Sequence, residues 1–216
     1  MLNELILLTA ESFAIAYFIW HLRKTKVPFF SYIVFFGVAC LSLGQLYNIV
    51  QLIVAGFVPA AANVGLLGVI GGYGFFFSSV YSQMDSLVDG GEKEYRKYRL
   101  AAAAAAILLL LFVLPVLRSP LLTDRKIVCA VTALLFALTG YYNVKQLLLP
   151  DVTFGILRSI RAYNLLIYLL SVTLSFRTIC EAYAKGIGVT VFSVLAALIL
   201  AVLMPALQKG TEKWRA

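Results

Sequence analysis

The sequence predicts an all-α polytopic membrane protein, a bundle of seven transmembrane helices with the N-terminus outside and the C-terminus inside. Three observations carry that prediction. The chain is 62% hydrophobic and only 13% charged, whereas about a quarter of the residues of a soluble domain are charged. Its apolar runs reach about twenty residues, the length that crosses a hydrocarbon core of roughly 30 Å at about 1.5 Å per residue. Seven such runs occupy nearly all 216 residues, so one transmembrane domain is expected and no soluble domain of independent size.

The first span, about residues 4–20, lacks a basic leading segment and a small-residue cleavage site, and so reads as a retained helix. The second is expected at about 29–54 and the third at about 61–81, with an uncharged turn at Pro59 between them. Residues 85–99 form the most charged connector, with a turn at Gly90-Gly91. The fourth span, about 100–117, holds six consecutive alanines and no polar side chain. Thr123-Asp124 offers an N-cap to the fifth, about 125–149, and Pro150-Asp151 closes it. The sixth lies at about 160–181. Lys185-Gly186-Ile187-Gly188 then makes a tight turn into the seventh, about 189–207, and a polar tail follows.

Orientation follows from where Lys and Arg flank the spans. One side carries Arg23, Lys24, Lys26, Lys93, Arg96, Lys97, Arg99, Arg158, Arg161, Lys209, Lys213 and Arg215. The other carries only Arg118, Arg125, Lys126 and Lys185. The richer side is inside by the positive-inside rule, and the expected location is the plasma membrane. The net charge of +8 thus reads as connectors facing anionic lipid, and no nucleic-acid partner is expected.

A short echo runs through the chain. Tyr47-Asn48-Ile49-Val50-Gln51-Leu52 recurs as Tyr142-Asn143-Val144-Lys145-Gln146-Leu147, and the same offset sets Tyr73 on Tyr168. It would pair spans 1–3 with spans 4–6 as an inverted 3+3+1 repeat, a transporter-like arrangement. Six residues also match by chance in a low-complexity apolar chain, and spans 1 and 4 show no likeness, so both explanations stand.

Polar groups inside the spans are the candidates for chemistry, because each unpaired one in hydrocarbon costs several kcal/mol. The sixth span carries Arg161, Asn164, Tyr168, Ser171, Ser175 and Thr178 at steps of three or four, one helical face that must look into the bundle or a wet cavity. Glu11, Gln45, Asn48, Gln51, Asn63, Arg177 and Glu181 form an outer polar layer. Gln83, Asp85, Asn143, Lys145, Gln146, Arg158, Arg161 and Asn164 form an inner one. Glu11 is the sharpest single residue, a carboxyl well inside a span. Arg177 is its expected partner, with an Arg177–Glu181 pair at i, i+4 as the alternative. Gln45, Asn48, Gln51, Asn164 and Tyr168, with Glu11, are the expected solute contacts. Asp85 and Arg161 are the expected inner gate, although an arginine in a first turn also simply anchors to headgroups.

Other features read as structural. Gly68 and Gly72 in the third span are a small-xxx-small pair for close helix packing, with a helix break exposing carbonyls as the alternative. The isolated Cys40, Cys129 and Cys180 lie in apolar segments without metal spacing, and the single His21 sits at a span end. No metal, cofactor or catalytic constellation is expected.

The leading reading is a small permease or channel-like transporter for a polar or charged solute. Spans 1, 2, 3, 5 and 6 would line its path, with spans 4 and 7 facing lipid or a second copy in a homo-oligomer. The alternative is a seven-helix receptor signalling through a separate partner docked on the charged connector and basic tail. An intramembrane enzyme acting on lipid is the third class. The layout is shared by rhodopsin-like receptors, sensor regions of some bacterial kinases and several small transporters, and architecture does not choose among them.

Overall fold

The computed structural model describes residues 1–23, 27–58, 61, 63–81, 92–150 and 156–212. Among these residues every regular element is helical, and seven helices are long and apolar enough to cross a membrane. They are α1 (Leu2–Leu22), α2 (Phe29–Ala55), α3 (Val64–Tyr81), α4 (Lys93–Arg118), α5 (Thr123–Leu148), α6 (Ile156–Ala182) and α7 (Gly186–Thr211).

The helices outrun the apolar spans at several ends. α4 begins at Lys93 rather than near residue 100, and α7 continues through Pro205 to Thr211. Charge marks where hydrocarbon stops, but Lys, Arg and Glu are good helix formers and carry the helix into the headgroups. α4 is jointed, an α-helix over Arg96–Leu111 and another over Val113–Arg118. The joint precedes Pro115, whose ring would clash with the carbonyl four residues back, at Leu111. α3 runs unbroken through all five of its glycines, so they do not expose carbonyls at a break.

Two expected boundary devices are corrected. α5 starts at Thr123 with Leu122 at the cap position and no side-chain cap, so Thr123-Asp124 lies in the first turn instead. The turn between α6 and α7 is built by Ala184, in a left-handed conformation at φ 53°. Its N–H donates to the Glu181 carbonyl at 3.1 Å, and the Lys185 N–H donates to that of Cys180 at 2.8 Å. These two bonds satisfy carbonyls that end α6, and Gly186 and Gly188 already belong to α7. The Gly90-Gly91 turn lies outside the described residues.

Neighbouring contacts run α1–α2, α2–α3, α3–α5, α5–α6, α6–α7 and α7–α1, a closed ring of six helices. α4 stands outside the ring against α5, through buried Ala102 and Leu109. α4 is thus peripheral to the six-helix ring. Span 7 is different, because α7 closes the ring between α6 and α1 and buries Ser193, Ala196, Ala197, Leu200, Leu203, Met204 and Leu207. Uniform hydropathy hid this face, since apolar residues serve lipid and core equally well.

α2 and α3 make the tightest seam. Gly44 of α2 abuts Gly65 and Gly68 of α3, and Gly37 abuts Gly72 and Phe76, so the close-packing reading of Gly68 and Gly72 holds. A Cβ at Gly68 would lie 2.7 Å from the Gly44 Cα and 2.8 Å from the Cys40 carbonyl, both backbone atoms with nowhere to go. Gly74, on the same helix, has nothing within 4 Å of such a Cβ.

Gly68→Ala is therefore expected to destabilise by about 1–3 kcal/mol through overpacking, while Gly74→Ala is neutral or stabilising by up to about 1 kcal/mol. Reversible unfolding of both variants in one detergent checks the contrast. By the same measurement Ala184→Gly should stabilise by about 0.5–1 kcal/mol, because glycine removes the left-handed strain and gives back part of the gain as chain entropy.

Candidate functional site

At one end of the bundle the starts of α1, α3, α5 and α7 lie with the ends of α2, α4 and α6, and at that end four charges alternate. Arg177 of α6 donates from Nη2 to Glu4 Oε1 of α1 at 2.8 Å and pairs with Glu181 Oε1 at 2.9 Å, one turn further along α6. Its Nε donates to Ser193 Oγ of α7 at 3.0 Å. The second oxygen of Glu181 meets Arg125 Nη2 of α5 at 3.4 Å. The chain Glu4–Arg177–Glu181–Arg125 thus links α1, α6 and α5 and ties in α7. These side chains are between 12% and 25% exposed, so the pairs are largely withdrawn from water.

Against this chain lies a cavity of about 170 Å³. Glu4, Gln45, Asn48, Asn63, Arg125, Arg177 and Glu181 supply its polar wall, and Val58, Gly65, Leu66 and Val69 its apolar one. A smaller void of about 60 Å³ adjoins it among α3, α4, α5 and α6 and shares Leu66, Val69, Arg177 and Glu181. Asn48 reaches its place because residue 65 is a glycine, since a Cβ there would collide with the Asn48 amide. Four buried atoms of the polar wall have no hydrogen-bond partner among the described residues: Glu4 Oε2, Gln45 Oε1, Asn48 Oδ1 and Arg125 Nε. Buried polar atoms are usually partnered, and four orphans gathered around one cavity make it the candidate site, although single orphans also occur elsewhere, as at Thr139 and Asn143.

The expected site residues divide. Gln45, Asn48, Arg177 and Glu181 come together at the cavity, and the Arg177–Glu181 pair forms. Glu11 is 2% exposed, with Oε2 unpartnered, and does not pair with Arg177. Glu4 takes that guanidinium instead, because it lies nearer the helix end toward which a long basic side chain leans. Gln51 is turned to the Tyr47 hydroxyl at 3.0 Å and lies away from the cavity.

The remaining expected contacts sit elsewhere. Asn164 is fully buried near the opposite end and donates to Gln146 Oε1 at 3.1 Å, while Gln146 donates to the Val80 carbonyl at 3.1 Å. This amide clamp joins α6, α5 and α3. Tyr168 packs beside Gly140 of α5, next to Leu109 of α4. Arg161 donates from Nη2 to the Leu149 carbonyl at 3.2 Å. Its expected gate partner Asp85 lies outside the described residues, as does Gln83.

Between the charged end and the amide clamp the ring is filled. Tyr73, Phe76, Phe136 and Tyr163 are at most 3% exposed, and the rings of Tyr73 and Phe136 sit 4.2 Å apart. The hydroxyls of Tyr73 and Ser171 lie 3.2 Å apart, and those of Tyr163 and Ser79 2.9 Å apart. Along the α6 stripe Ser171, Ser175 and Thr178 return their own hydrogens to carbonyls four residues back, at 2.8–2.9 Å. The hydroxyls of Ser171, Ser175 and Thr178 are thus satisfied within the helix, and Ser175 and Thr178 border the smaller void.

Glu4, Arg125 and Ser193 belong to the site and were missed because each lies near a span end, where polar residues are ordinary. One signal was available: Glu4 and Glu11 are seven apart, on one face of α1. No family model matches the chain, and neither a curated protein nor a solved structure matches it.

Arg177→Ala is expected to cost about 3–5 kcal/mol by leaving Glu4 without a cation and Glu181 with Arg125 alone. Glu11→Gln, which removes no ion pair, should change stability by less than about 1 kcal/mol. Unfolding midpoints of the two variants in the same detergent check the order.

Proposed function

We propose that this protein is a seven-helix membrane receptor that binds a small polar ligand in the cavity beside Glu4, Arg125, Arg177 and Glu181. One observation carries the choice over a permease: the polar cavity belongs to one end of the bundle, while Tyr73, Phe76, Phe136 and Tyr163 fill the middle. A channel needs a polar route open to both sides, and an alternating-access carrier a polar site that each side reaches in turn, whereas a receptor works with a sealed interior.

The cavity is well placed to report its occupant. α1, α2, α3, α5 and α6 contribute to its wall, and α7 is attached through Ser193. A ligand that competes for Glu4 or Arg125 changes what holds these helices together, and any shift it causes is limited by its differential affinity for the two arrangements. By the bias of Lys and Arg, the cavity end faces outward and the opposite end faces the cytoplasm. There the exposed Lys93, Arg96 and Lys97 open α4, held over buried Leu149 and Leu157 by Tyr95 and Tyr98. We assign the docking of a cytoplasmic signalling partner to this basic face.

Reconstituted into liposomes, the protein is expected to move no charge and no solute under gradients of cations, protons, amino acids or organic anions. A flux or current abolished by Glu11→Gln or Arg161→Ala would overturn the receptor reading in favour of a permease.

A further inference from the structure

We infer that the ligand is a small zwitterion, carrying a protonated amine and a carboxylate on a skeleton of a few atoms. The inference rests on the reading of the cavity as a ligand site and adds the chemical class. Glu4–Arg177–Glu181–Arg125 is an alternating chain whose inner members satisfy one another. Its unsatisfied atoms are at its two ends. At the α1 end Glu4 Oε2 is a buried acceptor, and at the α5 end Arg125 Nε is a buried donor. Both residues line the cavity.

The wall is biased to match. Gln45 and Asn48, on the α2 side, each leave a carbonyl oxygen without a donor, and Gln45 is only 7% exposed. Three acceptors gathered in one cavity call for a group with several donors, and an ammonium has three. The donor at the other end of the chain calls for an anionic acceptor, and a carboxylate suits a guanidinium. A ligand with only one of these groups would leave one end of the chain unpaired. A metal ion fits less well, since among the described residues no group of three metal-ligating side chains is assembled. Size adds a limit. An engineered cavity of about 150 Å³ holds a benzene ring, so about 170 Å³ admits a molecule of an amino acid's smaller sizes.

The test titrates the full-length protein in nanodiscs by calorimetry. Three zwitterions of increasing charge separation, glycine, β-alanine and 4-aminobutyrate, are compared with propionate, ethylamine and neutral propionamide. At least one zwitterion is expected to bind tenfold or more tightly than propionate and ethylamine. Gln45→Leu, which leaves the ion chain intact, should weaken that zwitterion and ethylamine about tenfold and leave propionate unchanged. Glu4→Gln should erase the advantage of the zwitterion over propionate. If propionate, ethylamine or propionamide binds as tightly as every zwitterion, the zwitterion class is overturned while the cavity stands as a ligand site. If none of the six binds to protein shown to be folded, both the class and the ligand-site reading fail.

Discussion

Hydrocarbon offers no partner to a polar group, and this constraint governs how the bundle closes. At one end it is met by charge, with two arginines shared among carboxylates so that each buried ion faces an opposite one. At the other it is met by neutral amides, Asn164 to Gln146 to the Val80 carbonyl. A buried ion pair returns little net stability after desolvation, but breaking one is costly. The chain Glu4–Arg177–Glu181–Arg125 is therefore better understood as fixing which helices meet and at what depth. α1, α5 and α6 share one level because an axial slip would separate charges that are largely withdrawn from water.

The two closures differ in what they leave over. The amide clamp joins three helices beside a core of Tyr73, Phe76, Phe136 and Tyr163. The charged end leaves a cavity with orphaned atoms of both kinds. Orphaned polar atoms occur at both ends, Asn143 Oδ1 and Asn164 Oδ1 beside the clamp among them, but only at the charged end do they gather around a described cavity.

Much of the architecture was legible in the sequence. Seven apolar runs of spanning length, separated by short charged or turn-forming connectors, predict seven helices, and seven are found among the described residues. Gly68 and Gly72 correctly announced a close helix seam, because a missing side chain at helical spacing has few other uses inside a membrane. Which helices form the ring was not legible. α4 and α7 are similarly apolar, yet one stands outside and the other closes the circle, and in lipid hydropathy no longer distinguishes a core face from a lipid face. The site was half legible. Gln45, Asn48, Arg177 and Glu181 stood out by depth, but Glu4 and Arg125 lie where interfacial charge is expected and gain meaning only when an antiparallel neighbour sits beside them. Asn164 and Tyr168 shared a stripe on α6 with Ser171 without sharing an environment, since a helical face about two turns long meets more than one neighbour.

The ring also imposes an order in time. Its closing bond joins Arg177 to Glu4 across 173 positions of sequence. At roughly 5–20 residues per second of synthesis, the Glu4 carboxylate waits on the order of 10–35 s for its guanidinium to emerge. The helix that completes the circle, α7, comes later still. α1 must enter the membrane and persist there beside α2 alone, its charged terminus held at the water boundary. Assembly is therefore a process of early seams and a late latch: the glycine seam of α2 and α3 can form as soon as both helices exist, while the cavity wall is complete only when α6 brings Arg177 and Glu181 to Glu4.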